Sequence, residues 1–169
     1  MPGIPVGEFA IRAGAMMAAA DQFDVVVTGK GGHAAKPHEC IDSTLVAAHV
    51  VLALQSIAAR NVDPLKQVVV SVCSVQSESQ AHNVISQTVT MRGTVRTMDP
   101  AVQDFVEARV KAICETTAAA FGATATVDYR RGTVFDTLDQ AMNAAVQGFG
   151  VTLGDVTLLH DELASGRVL

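Results

Sequence analysis

The stretch TVTMRGTVRTMDP, Thr88 to Pro100, sets a strand directly against the start of a helix. Val89, Met91 and Val95 alternate with Thr90, Arg92, Thr94 and Arg96, which predicts a strand with one apolar and one polar face. Asp99 then offers a carboxylate to unpaired helical N–H groups, and Pro100 suits the first helical position. Beyond it, Val102, Val106, Val110, Ile113 and Thr117 recur at helical spacing, and Gly122 is well placed to stop the helix. A one-faced strand leading into a one-sided helix implies a layered α+β architecture.

Working outward, ATATVDYR (123–130) reads as another strand. DVVVTGK, from Asp24, and QVVVSVCSV, from Gln67, are β-branched runs and read as strands as well. Between these two, Asp42 can cap a helix in which Val46, Val50, Ala53, Leu54 and Ile57 recur at helical spacing. Ala47, Ala48, Val51 and Leu52 fill its other sides, so it should be covered on two sides; Asn61 to Pro64 ends it. The order β-α-β-β-α-β predicts a ferredoxin-like two-layer sandwich of the α+β class over about 21–131. It has a four-stranded antiparallel sheet with both helices on one face. Leu138, Met142, Ala145, Val146 and Phe149 predict one extra C-terminal helix.

At 169 residues the chain is one domain plus an appendage, and 49% hydrophobic residues suffice for a core. Its net charge of −5 with no basic stripe argues against nucleic acid as a partner. The three cysteines are too scattered for a disulfide framework, so a reducing cytoplasm is expected. Cys73 and Cys114 lie in apolar segments and are expected in the core. AGAMMAAA is too short for a signal peptide, with Glu8 before it and Asp21 after it. No apolar stretch approaches the roughly 20 residues of a membrane span, so no membrane partner is expected.

The glycine-rich GKGGHAAKPHEC, Gly29 to Cys40, raises the question of chemistry. His33, His38 and Cys40 could form a metal site, making the chain a small complete hydrolase. Alternatively, Gly31 and Gly32 give the backbone freedom to present His33 alone. By itself Arg96 reads as a solvated charge on the polar sheet face or as a clamp for a small carboxylate. Asn83 by itself reads as a turn residue.

Five motifs appear in order: MPGIPVG, GKGGHAAKPH, LQSIAARNVDP, AHNVI and MRGTVRT. Together they resemble the zinc-dependent aminoacylase, hippurate hydrolase and carboxypeptidase type of amidohydrolase, from Met1 to about Arg131. The resemblance implies that residues 1–20 are a remnant strand of a catalytic domain. Residues 21–131 would be the ferredoxin-like lid that also makes the homodimer. It further implies that His33 stabilises the transition state in the partner subunit's active site, and that Gly32, Asn83 and Arg96 bind an N-acyl amino acid. The family's zinc or other divalent metal sits on ligands that this sequence lacks, so no metal or other cofactor is expected here, and the chain alone should be inactive. Ser86-Gln87 stands where the family usually has Pro-Asp. The tail, 133–169, resembles the C-terminal part of a LysR-type regulator's effector-binding domain, without any DNA-reading element, which implies a chimeric reading frame. The alternative is a diverged tail of the same family.

Overall fold

A computed structural model describes residues 18–132. In chain order these form β1 (Ala19–Thr28), β2 (Gly32–His33), α1 (Ser43–Ser56), β3 (Val68–Ser77), β4 (Val84–Ile85), β5 (Thr88–Thr97), α2 (Pro100–Ala120) and β6 (Thr124–Arg130). The four long strands make one antiparallel sheet in the order β3-β5-β1-β6, with both helices on one face. This is the predicted β-α-β-β-α-β sandwich. The two short strands add something the periodicity did not predict, a separate ribbon in which Gly32 pairs with Ile85 and His33 with Val84. The regulator-like tail and its expected helix, like residues 1–17, lie outside the described residues.

The alternation read from Thr88–Thr97 is the alternation of burial. Val89, Met91 and Val95 are enclosed with Phe23, Val25 and Val27 of β1. Val46, Val50 and Leu54 of α1 and Val106, Val110 and Ile113 of α2 close the core from the helical side. Each such side chain contributes about 1.5–3 kcal/mol when removed from water, so the stripes decide which way the helices face. Asp42 caps α1 by accepting from Thr44 N at 2.8 Å and Leu45 N at 3.2 Å. Asp99 caps α2, accepting from Ala101 N at 2.9 Å. Gly122 ends α2 at φ 77°, a left-handed conformation that a side chain would strain.

β1 starts earlier than DVVVTGK suggested, because Ala19 already pairs with Thr97 and Phe23 with Gly93. Asp21 hides this in the sequence, being a carboxylate at an inward position of the strand. Cys114 is buried as expected, but Cys73 is exposed. The ladder between β3 and β5 shifts register between Val72 and Ser74, and a bulge there takes Cys73 out of the alternation. The two-sided cover expected for α1 is likewise missing among the described residues, where Leu45 is 52% and Leu52 70% exposed. A π-helical turn, Ile57–Asn61, prolongs α1. The resulting Ser43–Asn61 rod is 19 residues, long and apolar enough to cross a membrane by length and composition, contrary to the sequence reading. Its inner stripe is buried against the sheet.

Candidate functional site

The glycine-rich stretch folds back on the loop before β5, and backbone hydrogen bonds hold it there. Gly29 N donates to Gln87 O at 2.8 Å, and Lys30 and Ile41 exchange two bonds of 2.9 Å. Ala34 N donates to Asn83 O at 3.0 Å, which sets Asn83 beside His33. The glycines are required for closeness rather than for unusual dihedrals: among the described residues only Gly122 has a positive φ. A Cβ on Gly31 would lie 2.9 Å from both Gln87 N and Ile85 O, and one on Gly32 would lie 2.6 Å from Cys40 Sγ. A side chain at Gly31 would push the ribbon apart at the backbone, whereas one at Gly32 would have to displace the Cys40 thiol.

His33 is exposed at the ribbon's end, and its Nδ1 accepts the Ala35 N–H at 3.1 Å. The Pro-Asp departure also has a structural account. Ser86 is buried; its carbonyl accepts from Ser43 Oγ at 2.7 Å, and its hydroxyl accepts from Ser79 N at 3.0 Å. Ser77 Oγ lies 2.5 Å from the same hydroxyl. Three serines that the motif reading passed over thus tie the Asn83 loop to β3 and to the start of α1. The one sequence signal for them was the departure at Ser86 itself.

The ribbon therefore brings Gly32, His33 and Asn83 together. Arg96 is elsewhere. Thr88 lies at the ribbon end of β5 and Arg96 near its far end, about 27 Å along the strand. The Arg96 guanidinium donates to Thr94 Oγ1 and, at 3.2 Å, to Val95 O. It faces an open depression of about 530 Å³ on the sheet face opposite the helices, together with Gln22, Asp24, Cys73, Arg92 and Arg130. Asp24 neutralises part of that charge, at 2.9 Å from Arg130 and 3.9 Å from Arg92.

The dinuclear metal centre that the motifs imply does not fit these residues. Among the described residues no three His, Cys, Asp or Glu side chains gather as a ligand set. His33 Nδ1 is engaged by Ala35, His38 leans on Glu39 at 3.7 Å, and Cys40 Sγ points to Lys36 O at 3.5 Å.

Comparison with known proteins places this geometry. Residues 19–121 match the peptidase dimerisation domain family. The N-acetyl-L-cysteine deacetylase of Bacillus subtilis is 41% identical over 131 residues, which is 78% of this chain and 31% of that protein. The N-acetyldiaminopimelate deacetylase of Shouchella clausii is 33% identical over 163 residues, 96% of this chain and 43% of that protein. This chain thus spans well under half the length of either relative. Among solved structures, a dinuclear metal-binding peptidase of the M20 family from Bacillus subtilis superposes with a TM-score of 0.62 at 28% identity. The match covers 87% of this chain and 36% of that one.

Proposed function

The chain belongs to the peptidase dimerisation domain family, and from that premise we propose that it is the lid and dimerisation module of a metal-dependent amidohydrolase acting on N-acyl amino acids. One observation carries the arrangement of the site: His33 and Asn83 lie at one end of the sheet and Arg96 at the other. An N-acyl amino acid is about two residues long, roughly 7 Å, and cannot bridge that distance within one subunit. Two subunits can supply both ends. His33 and Asn83 then serve the partner's site as donors to the carbonyl undergoing attack, and Arg96 serves its own subunit as a fork for the substrate carboxylate. Free cysteines, one of them exposed, suit a reducing compartment such as the cytoplasm.

The surface for a second copy is the outer side of α1 with the neighbouring edge strand β3. Leu45 and Leu52 project from the helix and Val75, on the helix side of the sheet opposite Met91, from the strand, all about half exposed or more. α1 packs over β3 and β5, so these side chains lie along one border of the domain. An apolar border beside an open strand edge is suited to a copy of itself. Sedimentation velocity tests this: the chain should run as a dimer, and Leu52→Glu as a monomer with unchanged far-UV circular dichroism. A monomeric wild type at micromolar concentration would overturn it.

For residues 133–169, the alignment with the Shouchella clausii deacetylase spans 163 residues of the chain and so enters the tail. This supports a diverged tail of the same family over a regulator fragment. Limited proteolysis with mass spectrometry tests the division: cleavage just beyond Gly132 should leave a folded body. Loss of all protected fragments on such cleavage would count against it.

A further inference from the structure

We propose that His33 is presented as a neutral imidazole with its proton on Nε2, and that the backbone N–H of Ala35 is the group that sets this tautomer. The inference deepens the reading above and rests on it for the use made of the donor. A ring nitrogen that accepts a hydrogen bond must carry a lone pair. With Nδ1 accepting from Ala35 N at 3.1 Å, the proton of the neutral ring is on Nε2. The donor is held in place by the turn around it. Lys36 N donates to His33 O at 2.8 Å, Ala34 N donates to Asn83 O at 3.0 Å, and His33 pairs with Val84 in the ribbon.

The consequence is chemical. Among the described residues no oxygen accepts the Nε2 proton, and the ring is exposed, so this N–H is free for an incoming group. A fixed N–H donor suits a carbonyl oxygen that gains negative charge during acyl transfer, because nothing must reorient as the charge develops. The same tautomer has no lone pair on Nε2, so His33 is neither a general base nor a metal ligand through that atom. Ala35 acts through His33 rather than on substrate and is a positioning residue. Its side chain is immaterial; its N–H is what matters.

Long-range proton–nitrogen NMR on the full chain, above the imidazole titration range, reads the tautomer directly, with the exposed His82 as internal reference. His33 should show a pyridine-like Nδ1 and a pyrrole-like Nε2. Its Nδ1–H form should be roughly fivefold rarer than that of His82, the bias that one net hydrogen bond supplies. Ala35→Gly keeps the N–H and should keep the pattern, whereas Ala35→Pro removes it and should bring His33 to the His82 ratio. A wild-type His33 protonated on Nδ1, or one with the His82 ratio, overturns the proposal, as does an unchanged pattern in a folded Ala35→Pro chain. Should Ala35→Pro lose its dispersed spectrum, the wild-type comparison with His82 decides alone. Sedimentation is read separately, so a failure of the dimer reading and a failure of the tautomer assignment are distinguishable.

Discussion

Asp21 has no exposed surface, yet it carries a carboxylate. It is accommodated because Gln103 Nε2, the Tyr129 hydroxyl and Gly132 N each donate to it at 2.7 Å. The cluster joins the first turns of β1 to α2 and to the end of β6. Asp21→Ala would take the shared acceptor from Tyr129 and Gly132 N and leave Gln103 Nε2 only the Gly132 carbonyl, and urea unfolding should show a loss of about 3 kcal/mol. Burial, with a smaller push from Glu115, raises the Cys114 thiol from 9.0 to about 12. The unfolded chain ionises this thiol first, so its contribution to stability is complete below pH 9 and is lost as pH rises through about 12. Tyr129, raised by burial and by its bond to Asp21, acts in the same sense. The urea midpoint should therefore fall above pH 9, and Cys114→Ala should flatten part of that slope. A midpoint flat to high pH would refute both assignments. None of this was legible in the sequence, where Asp21 merely interrupts an apolar pattern and its three partners come from far along the chain.

At the scale of elements, the strands and helices with long, regular patterns were legible. β5 occupies Thr88–Thr97 as read, and Asp42, Asp99 and Gly122 punctuate the helices as their chemistry predicts. The β2–β4 ribbon was not legible, since two-residue strands leave no period to detect. The bulge at Cys73 was hidden for a related reason: one extra residue in a ladder depends on the partner strand. α1 shows where pattern stops short of structure. Its all-round apolar sequence says that both sides need cover, and only the fold shows which side the domain itself leaves open. Because Leu52 is 70% exposed, Leu52→Glu should change monomer stability by no more than about 0.5 kcal/mol while abolishing assembly. A large loss in the urea midpoint of the variant would instead place Leu52 in the core.

At the scale of the molecule, the separation of His33 from Arg96 ties chemistry to assembly. Under the proposed roles, His33 and Arg96 cannot meet on one substrate within a subunit, because the ribbon end of β5 and Arg96 lie about 27 Å apart along the strand. The pure chain should therefore show no hydrolysis of N-acyl amino acids, with or without added zinc. Metal-dependent turnover that is lost in His33→Ala would overturn this reading. The sequence by itself determined the order of elements, the core faces and the family motifs, because periodicity, caps and glycines act through near neighbours. Only the tertiary structure decided that Gly32, His33 and Asn83 meet at one ribbon, that Arg96 does not join them, and that one border of α1 and β3 is left bare among the described residues. Those outcomes depend on which distant segments pair, and a linear pattern records what each residue prefers, not whom it meets.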